Sequence, residues 1–395
     1  MHLFRTSLKE AAWVFLLSRC TILLISYISF ILLTQTGVHS GPLCTLRIGP
    51  NPCIFMWNHW DAAAYTRIAY QGYASTPDVA FFPLWPLLMH YGALLLGGIN
   101  PFSYYLAGLL LSNICFFGVL VLFYVLLAED FEPSLARRAL FYISFYPYAL
   151  FFFVGYSESL FVLLCLAVFL LLRRGKALDW WFAGLLGFLA ALTRSAGVLL
   201  SIPFLIMYIR HFWLPDKRDQ SSFLQKLNGF VPIILFPVAV GVYLVYLGYA
   251  KGNPWLIQVV ELRYWHRHFA MIWHTFSPAI KKIWYAPLFS LDVMKNEIDL
   301  MFTVLPIMAL ILGWKRLPLH YSLFALAVMF FSLSFPLESI NSLASQPRYM
   351  MSAFPVIVVF ALWGKRTRFD QAFNAVSIAL LAVNTVFFVA HYWVA

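Results

Sequence analysis

The sequence predicts an all-α polytopic membrane protein. Three observations carry that prediction. Hydrophobic residues make up 62% of the 395-residue chain and charged residues only 11%, against roughly 25% charged in soluble domains. Mean hydropathy is +0.80. Apolar runs recur from one end to the other and no stretch suits a soluble domain, so a single membrane domain over residues 1–395 is expected.

A helix needs about 20 apolar residues to cross a bilayer, fewer where its flanks snorkel. About eleven segments reach or approach that length: 11–33, 102–127, 139–154, 160–172, 180–192, 197–209, 231–249, 298–312, 319–335, 349–363 and 373–389. The first, opening MHLFRTSLKEAAWVFLLSRC, reads as a signal-anchor, because its apolar run continues to Leu33 with no small-residue cleavage site. Segment 83–98 is apolar but short, and Pro83, Pro86, Gly97 and Gly98 bound it. It is either one more span or a helix lying at the interface.

Positive charge decides between those readings. With segment 83–98 at the interface and the N-terminus cytoplasmic, five clusters all face the cytoplasm: Arg137/Arg138, Arg173/Arg174/Lys176, Lys217/Arg218/Lys226, Lys315/Arg316 and Lys365/Arg366/Arg368. If the segment spans, all five move outside, against the positive-inside rule. The interfacial reading follows, with the C-terminus on the outer face. The net charge of +11 is then a topology signal, and no nucleic-acid partner is expected.

Two long segments fall on the outer side, 34–101 and 251–295. The second holds Lys251, Arg263, Arg267, Lys281, Lys282 and Lys295, three histidines (His266, His268, His274) and four tryptophans, with Glu261 and Asp292 as its acids. A basic outer loop opposes the topology rule. Either it binds anionic lipid phosphate, or it forms an interfacial amphipathic helix with a tryptophan belt. Cys44 and Cys53 share the first outer segment, where a disulfide can form in an oxidising compartment. Cys20, Cys115 and Cys165 lie in apolar runs and read as packing residues. The chain has no fixed-period repeat, no low-complexity tract and no CxxC or HExxH pattern, so no metal or cofactor site is predicted.

Ionisable residues beside or within spans are costly, so they mark function by default. Asp61 follows Trp57, Asn58, His59 and Trp60, with Tyr65 four residues on. In a helix, Asp61 and Tyr65 share a face. A carboxylate among aromatic rings suits a sugar, since rings stack on the apolar face while the carboxylate takes a hydroxyl proton. The plainer alternative is a helix N-cap. Glu158, in GYSES, is a site carboxylate, a partner for a site arginine, or a helix-start residue. Arg194 in LTRSAG and Arg348 in ASQPRYM fall at outer helix ends, where an arginine either binds phosphate or carboxylate, or snorkels to headgroups. Arg19, inside the first span, either snorkels towards Glu10 or lines a buried polar path. Asn113 and His90 read as core or interface groups.

Four segments in order, HWDAAAYTRIAYQGY (59–73), VAFFPLWPL (79–87), GYSESLF (155–161) and TRSAGVLL (193–200), resemble the GPI mannosyltransferase 2 (PIG-V) family, and QPRYMMSAFP (346–355) resembles a motif of its bacterial relatives. The resemblance implies a GT-C glycosyltransferase fold with a catalytic carboxylate in the first outer loop. It implies a polyprenyl- or dolichyl-phosphate mannose donor, a glycolipid or glycan acceptor, no nucleotide-sugar site and no cofactor. The family's WD carboxylate falls on Asp61, its GYSE residues on Tyr156 and Glu158, and its TRS arginine on Arg194. A short chain without an ER-retention tail points to a bacterial inner membrane with the site facing outward, or to the ER membrane if eukaryotic.

On this reading Asp61 deprotonates the acceptor hydroxyl as it attacks the anomeric carbon, in a single inverting displacement. Arg194 and Arg348, with Lys281, Lys282 or His59, stabilise the departing phosphate. Glu158 orients the sugar, the acceptor or Arg194, and Trp60 and Tyr65 form the sugar platform. Two other readings stand beside it: a lipid-linked-sugar transporter or flippase, and a non-catalytic membrane subunit. Transporters tend to carry internal repeats and charge at the bilayer midplane, whereas here the charges cluster at outer helix ends.

Overall fold

The computed structural model describes residues 2–35, 52–98, 100–214, 222–287, 290–337 and 341–394, and among them all regular structure is helical. Among the described residues six helices are long and apolar enough to cross a membrane: His2–Gln35, Pro101–Asp130, Ser195–Phe212, Phe223–Lys251, Leu291–Arg316 and Thr367–Val389. These take up six of the expected spans, and the chain is a multi-pass membrane protein. The segments expected at 180–192 and 319–335 are the shorter apolar helices Ala177–Thr193 and Leu319–Leu333.

Two expected spans are not continuous helices. Segment 139–154 breaks after Pro133–Phe145 and resumes as a 3-10 turn, Ala149–Phe152. Segment 349–363 is split into Gln346–Ser352 and Pro355–Trp363. Both breaks lie beside a proline, Pro147 or Pro355, which removes an N–H and biases the preceding residue away from helix. Irregular backbone at membrane depth is tolerated only when buried in protein, and every residue from 142 to 162 is buried. Its carbonyls are met by side chains. Asn384 Nδ2 donates to Pro147 O at 2.9 Å, Ser159 Oγ to Phe152 O at 3.2 Å, Asn113 Nδ2 to Phe153 O at 3.1 Å and Trp85 Nε1 to Gly155 O at 3.0 Å.

The chain divides into two compact units. The first comprises Met1–Ala74, Leu84–Leu163 and Phe360–Val394. Its centre is Pro101–Asp130, started by Pro101 and capped by Asn100, whose side chain accepts from Ser103 N–H. His2–Gln35, Asp61–Gln71, Leu84–Leu95 and Pro133–Phe145 pack against it. Leu84–Leu95 has 12 residues, about 18 Å of helix, too short to cross the roughly 30 Å hydrocarbon core. It nestles against Gly108, where a Cβ would stand 2.6 Å from Met89 Cε.

One end of this unit is tied by ion pairs: Arg137 to Glu10 at 3.5 Å, Arg138 to Asp370 at 3.4 Å and Lys365 to Glu132 at 3.1 Å. Arg137, Arg138 and Lys365, from two of the five basic clusters, therefore share one end of this unit. Arg19 does not pair with Glu10, which Arg137 engages. Its guanidinium is buried among the rings of Phe116, Phe15 and Phe153, with Cζ 4.2, 5.2 and 5.8 Å from their centroids. His90 and Asn113 are half-buried groups bonded to backbone carbonyls, His90 Nδ1 lying 2.8 Å from Ala69 O and Asn113 Nδ2 donating to Leu109 O at 2.8 Å. Cys115 and Cys165 are buried, but Cys20 is exposed on the first helix, so the packing reading fails there. Cys53 is disulfide-bonded; the Cys44 half of the expected pairing lies outside the described residues.

The second unit comprises Ser75–Pro83 and Leu164–Val359. Ala177–Thr193 packs on Leu235–Lys251, and Leu319–Leu333 packs on Ser201–Phe212 and Gln346–Ser352. Segment 251–295 holds two short helices, Leu256–Arg263 and Ile272–Tyr285. The latter turns Trp273, Ile280, Trp284 and Tyr285 outward and buries Thr275 and Ala279. That outward apolar face has the character of a helix lying in a membrane interface.

Candidate functional site

In the first unit, Asp61 is the first residue of the helix Asp61–Gln71, and Trp60 takes the cap position without any side-chain capping bond. The N-cap alternative for Asp61 is thereby corrected. A carboxylate in the first turn sits at the positive end of the helix dipole. Trp60 adopts φ 54° and ψ −122°, a region that L-residues rarely occupy and that costs about 1–3 kcal/mol. The surrounding structure has to impose it.

Tyr156 supplies part of that constraint. Its hydroxyl accepts from Asp61 N–H at 3.3 Å and donates to His59 O at 3.5 Å, so it brackets the strained residue from both sides. Tyr65 Oη and Ser157 Oγ are 3.0 Å apart, and Thr66 Oγ1 donates to Asn58 Oδ1 at 3.2 Å. Trp57 Nε1 donates to Ser26 Oγ at 3.0 Å, and its ring meets Phe153 edge-on at 5.0 Å. The HWD and GYSE segments, nearly a hundred residues apart in sequence, form one buried scaffold behind Asp61.

Exposure separates the predicted site residues of this unit. Trp60 is 39% exposed, while Tyr65 is 6% and Glu158 only 1% exposed. Trp60 is available as an aromatic surface. Tyr65 instead points its hydroxyl into the core at Ser157. Glu158 begins the helix Glu158–Arg174 and is enclosed by protein. His59 is half-buried beside Phe388 and His391, with ring centroids 6.1 and 3.8 Å away.

In the second unit three guanidinium groups surround one ring. Arg194, Arg348 and Arg267 place Cζ at 5.1, 5.2 and 5.7 Å from the centroid of Tyr349. Arg267 Nη2 donates to Tyr349 Oη at 3.0 Å, and Arg267 Nη1 lies 3.8 Å from Glu261 Oε2. Burial pushes the Glu261 carboxyl above its ordinary range, with Arg267 pulling the other way. Cation–π contacts offset part of the repulsion between like charges, and an anion among the three groups would offset far more. Of these four residues the sequence had marked Arg194 and Arg348. Arg267 was visible only as one basic residue of the outer loop, and Tyr349 only as the start of an apolar run. Lys281 and Lys282 lie elsewhere, on Ile272–Tyr285. Lys281 is exposed, and Lys282 Nζ is 3.9 Å from Asp292 Oδ2. Among the described residues no group of three His, Cys, Asp or Glu could hold a metal ion.

The chain is similar to mouse GPI alpha-1,6-mannosyltransferase 2, 32% identical over 42% of this chain and 36% of that protein. It is 27% identical to GPI mannosyltransferase 2 of Schizosaccharomyces pombe over 55% of this chain and 48% of that protein. The matches thus span about a third to a half of the length of these curated relatives. Two crystal structures of Archaeoglobus fulgidus oligosaccharyltransferase overlay on 97% and 98% of this chain and 53% and 55% of theirs. Their TM-scores are 0.45 and 0.46, at 16% and 14% identity. A family model described as Mannosyltransferase (PIG-V) matches residues 9–264, more than half the chain and including Asp61, Tyr156, Glu158, Arg194 and Glu261. The chain belongs to the PIG-V mannosyltransferase family.

Proposed function

We propose that this chain is a GT-C membrane mannosyltransferase that moves a mannosyl residue from a polyprenyl-phosphate mannose donor to a hydroxyl of a lipid or glycan acceptor, on the non-cytoplasmic face of a bacterial inner membrane. The observation that carries the proposal is the setting of Asp61. It is a carboxylate on a helix start whose preceding residue is held in a strained conformation by a buried scaffold. Strain of this kind persists only where the structure over-determines it, and it gathers at functional sites.

Asp61 takes the proton of the acceptor hydroxyl while the acceptor oxygen attacks the anomeric carbon. The bond from that carbon to the phosphate oxygen breaks, and the lipid phosphate leaves with the electron pair. Because the leaving group is already a weak base, no second carboxylate is required, unlike the pair used by glycosidases. Attack and departure on opposite sides invert the anomeric centre. Arg194, Arg348 and Arg267 bind the phosphate and stabilise the charge that grows on it as the bond breaks. Tyr349, whose hydroxyl accepts from Arg267, is left with its own proton to donate to a phosphate oxygen. Trp60 offers the ring surface for the sugar. Tyr156 acts from behind, by fixing the segment that carries Asp61.

The test uses the detergent-solubilised full chain with tritiated polyprenyl-phosphate mannose and a detergent extract of crude membranes as acceptor source. Tritium should move covalently into an acceptor, with inversion at the anomeric carbon. Movement of the donor across sealed vesicles without any covalent product would establish transport in its place.

A further inference from the structure

The last described residues of the chain lie against the strained segment, within the same unit. Thr367–Val389 ends in a Schellman turn: His391 N–H donates to Phe388 O at 3.1 Å and Tyr392 N–H to Phe387 O at 2.9 Å. The turn places its C′ residue in the left-handed region, here with φ 63°. Glycine takes that conformation without steric cost and is the usual occupant. This chain has a histidine there.

What the histidine adds is its ring. His391 lies 3.8 Å, centroid to centroid, from the ring of His59, and Trp393 meets Trp60 edge-on at 4.8 Å. The indole N–H of Trp393 is buried and makes no hydrogen bond among the described residues, so ring contact is what docks it. Val394 beyond it is buried. Phe388, one turn back, reaches both His59 and Tyr156, at 6.1 and 6.4 Å. Two left-handed non-glycine residues, Trp60 and His391, thus lie in segments that grip each other, one immediately before Asp61.

We propose that His391 and Trp393 are positioning residues for the reaction. They clamp His59 and Trp60 by ring contact, in addition to the Tyr156 bracket, and so fix the direction in which Asp61 leaves the turn. The inference rests on the role of Asp61 given above. It extends the working site to a segment about 330 residues away in sequence and beyond the region that the family model matches.

The informative variant is His391→Gly, because glycine keeps the turn and removes only the ring. Trp393→Ala and Trp393→Phe form a second pair, the latter retaining an aromatic face. Initial rates of tritium transfer and thermal unfolding are measured for each, beside Asp61→Asn. His391→Gly and Trp393→Ala should each lower kcat by about tenfold, the scale of a misplacement well under 1 Å. Donor KM should stay within about twofold and the unfolding temperature should not fall for His391→Gly. Trp393→Phe should recover most of the loss. If both truncations keep wild-type kcat while Asp61→Asn is inactive, the clamp has no catalytic role and the inference is overturned. A fall in unfolding temperature with unchanged kcat overturns it too, by reducing the segment to a structural cap. If Asp61→Asn transfers mannose normally, the base assignment fails, and this inference fails with it.

Discussion

Removing one oxygen atom, by Tyr156→Phe, separates the scaffold from the carboxylate it supports. The phenol is buried, and its ring contacts with Phe151 and Phe388, at 5.0 and 6.4 Å, survive the change. What is lost is the bracket: a 3.3 Å bond from Asp61 N–H and a 3.5 Å bond to His59 O. Both are long, so together they contribute about 1 kcal/mol. That is comparable with the lower end of the cost of holding Trp60 at φ 54°, about 1–3 kcal/mol. Without the bracket the turn relaxes and Asp61 shifts, while the helix that follows stays packed. Overall stability should fall by no more than about 1 kcal/mol. Transfer should fall further, because displacements below 1 Å cost about 10-fold or more in rate. Donor KM should hold, since the arginines around Tyr349 are untouched. The assay is tritium transfer in detergent, with kcat and donor KM determined separately and unfolding followed by intrinsic fluorescence. A folded Tyr156→Phe protein with kcat within about twofold of wild type would refute the claim that this bracket positions the base.

Arg267→Ala removes a guanidinium and its bond to Tyr349; donor KM should rise by about 10- to 100-fold, the worth of one hydrogen bond to a charged group. Arg267→Lys should restore only part of this, because an ammonium lacks the planar fork, and an unchanged donor KM in both variants would remove Arg267 from the phosphate site. Glu261 holds its proton to higher pH than an ordinary glutamate. As pH falls through its raised pKa the carboxylate is neutralised, the arginine cluster gains net positive charge, and donor KM should fall. Glu261→Gln should show low donor KM at every pH and lose that dependence, whereas an unaltered pH profile would show that Glu261 does not tune the cluster.

Much of the helical frame was legible because spanning length and apolar composition are local properties. His2–Gln35, Pro101–Asp130 and Thr367–Val389 could be read directly. Segments 139–154 and 349–363 could not, because apolar composition is shared by a spanning helix and by irregular backbone buried within a bundle. Pro147 and Pro355 were the available signals of the breaks. Asp61, Arg194 and Arg348 stood out because charge is rare in this chain. Their surroundings did not, since the bonds from Tyr156 to the HWD segment and from Arg267 to Tyr349 join residues 95 and 82 positions apart. Tyr65 is a related case: its helical spacing from Asp61 was legible, but nothing in the sequence said that its hydroxyl meets Ser157 in the core. His391 carried no signal at all, since a left-handed histidine is recognisable only from the backbone.

Whether Asp61 is the general base is read most directly from the rate of covalent mannosyl transfer by Asp61→Asn beside wild type, with thermal unfolding as the control for folding. Asparagine keeps the shape and the helix start but cannot accept the proton. The variant should be a folded protein whose transfer rate is about 10²- to 10⁴-fold lower. A folded Asp61→Asn variant that transfers mannose at close to the wild-type rate would contradict that role.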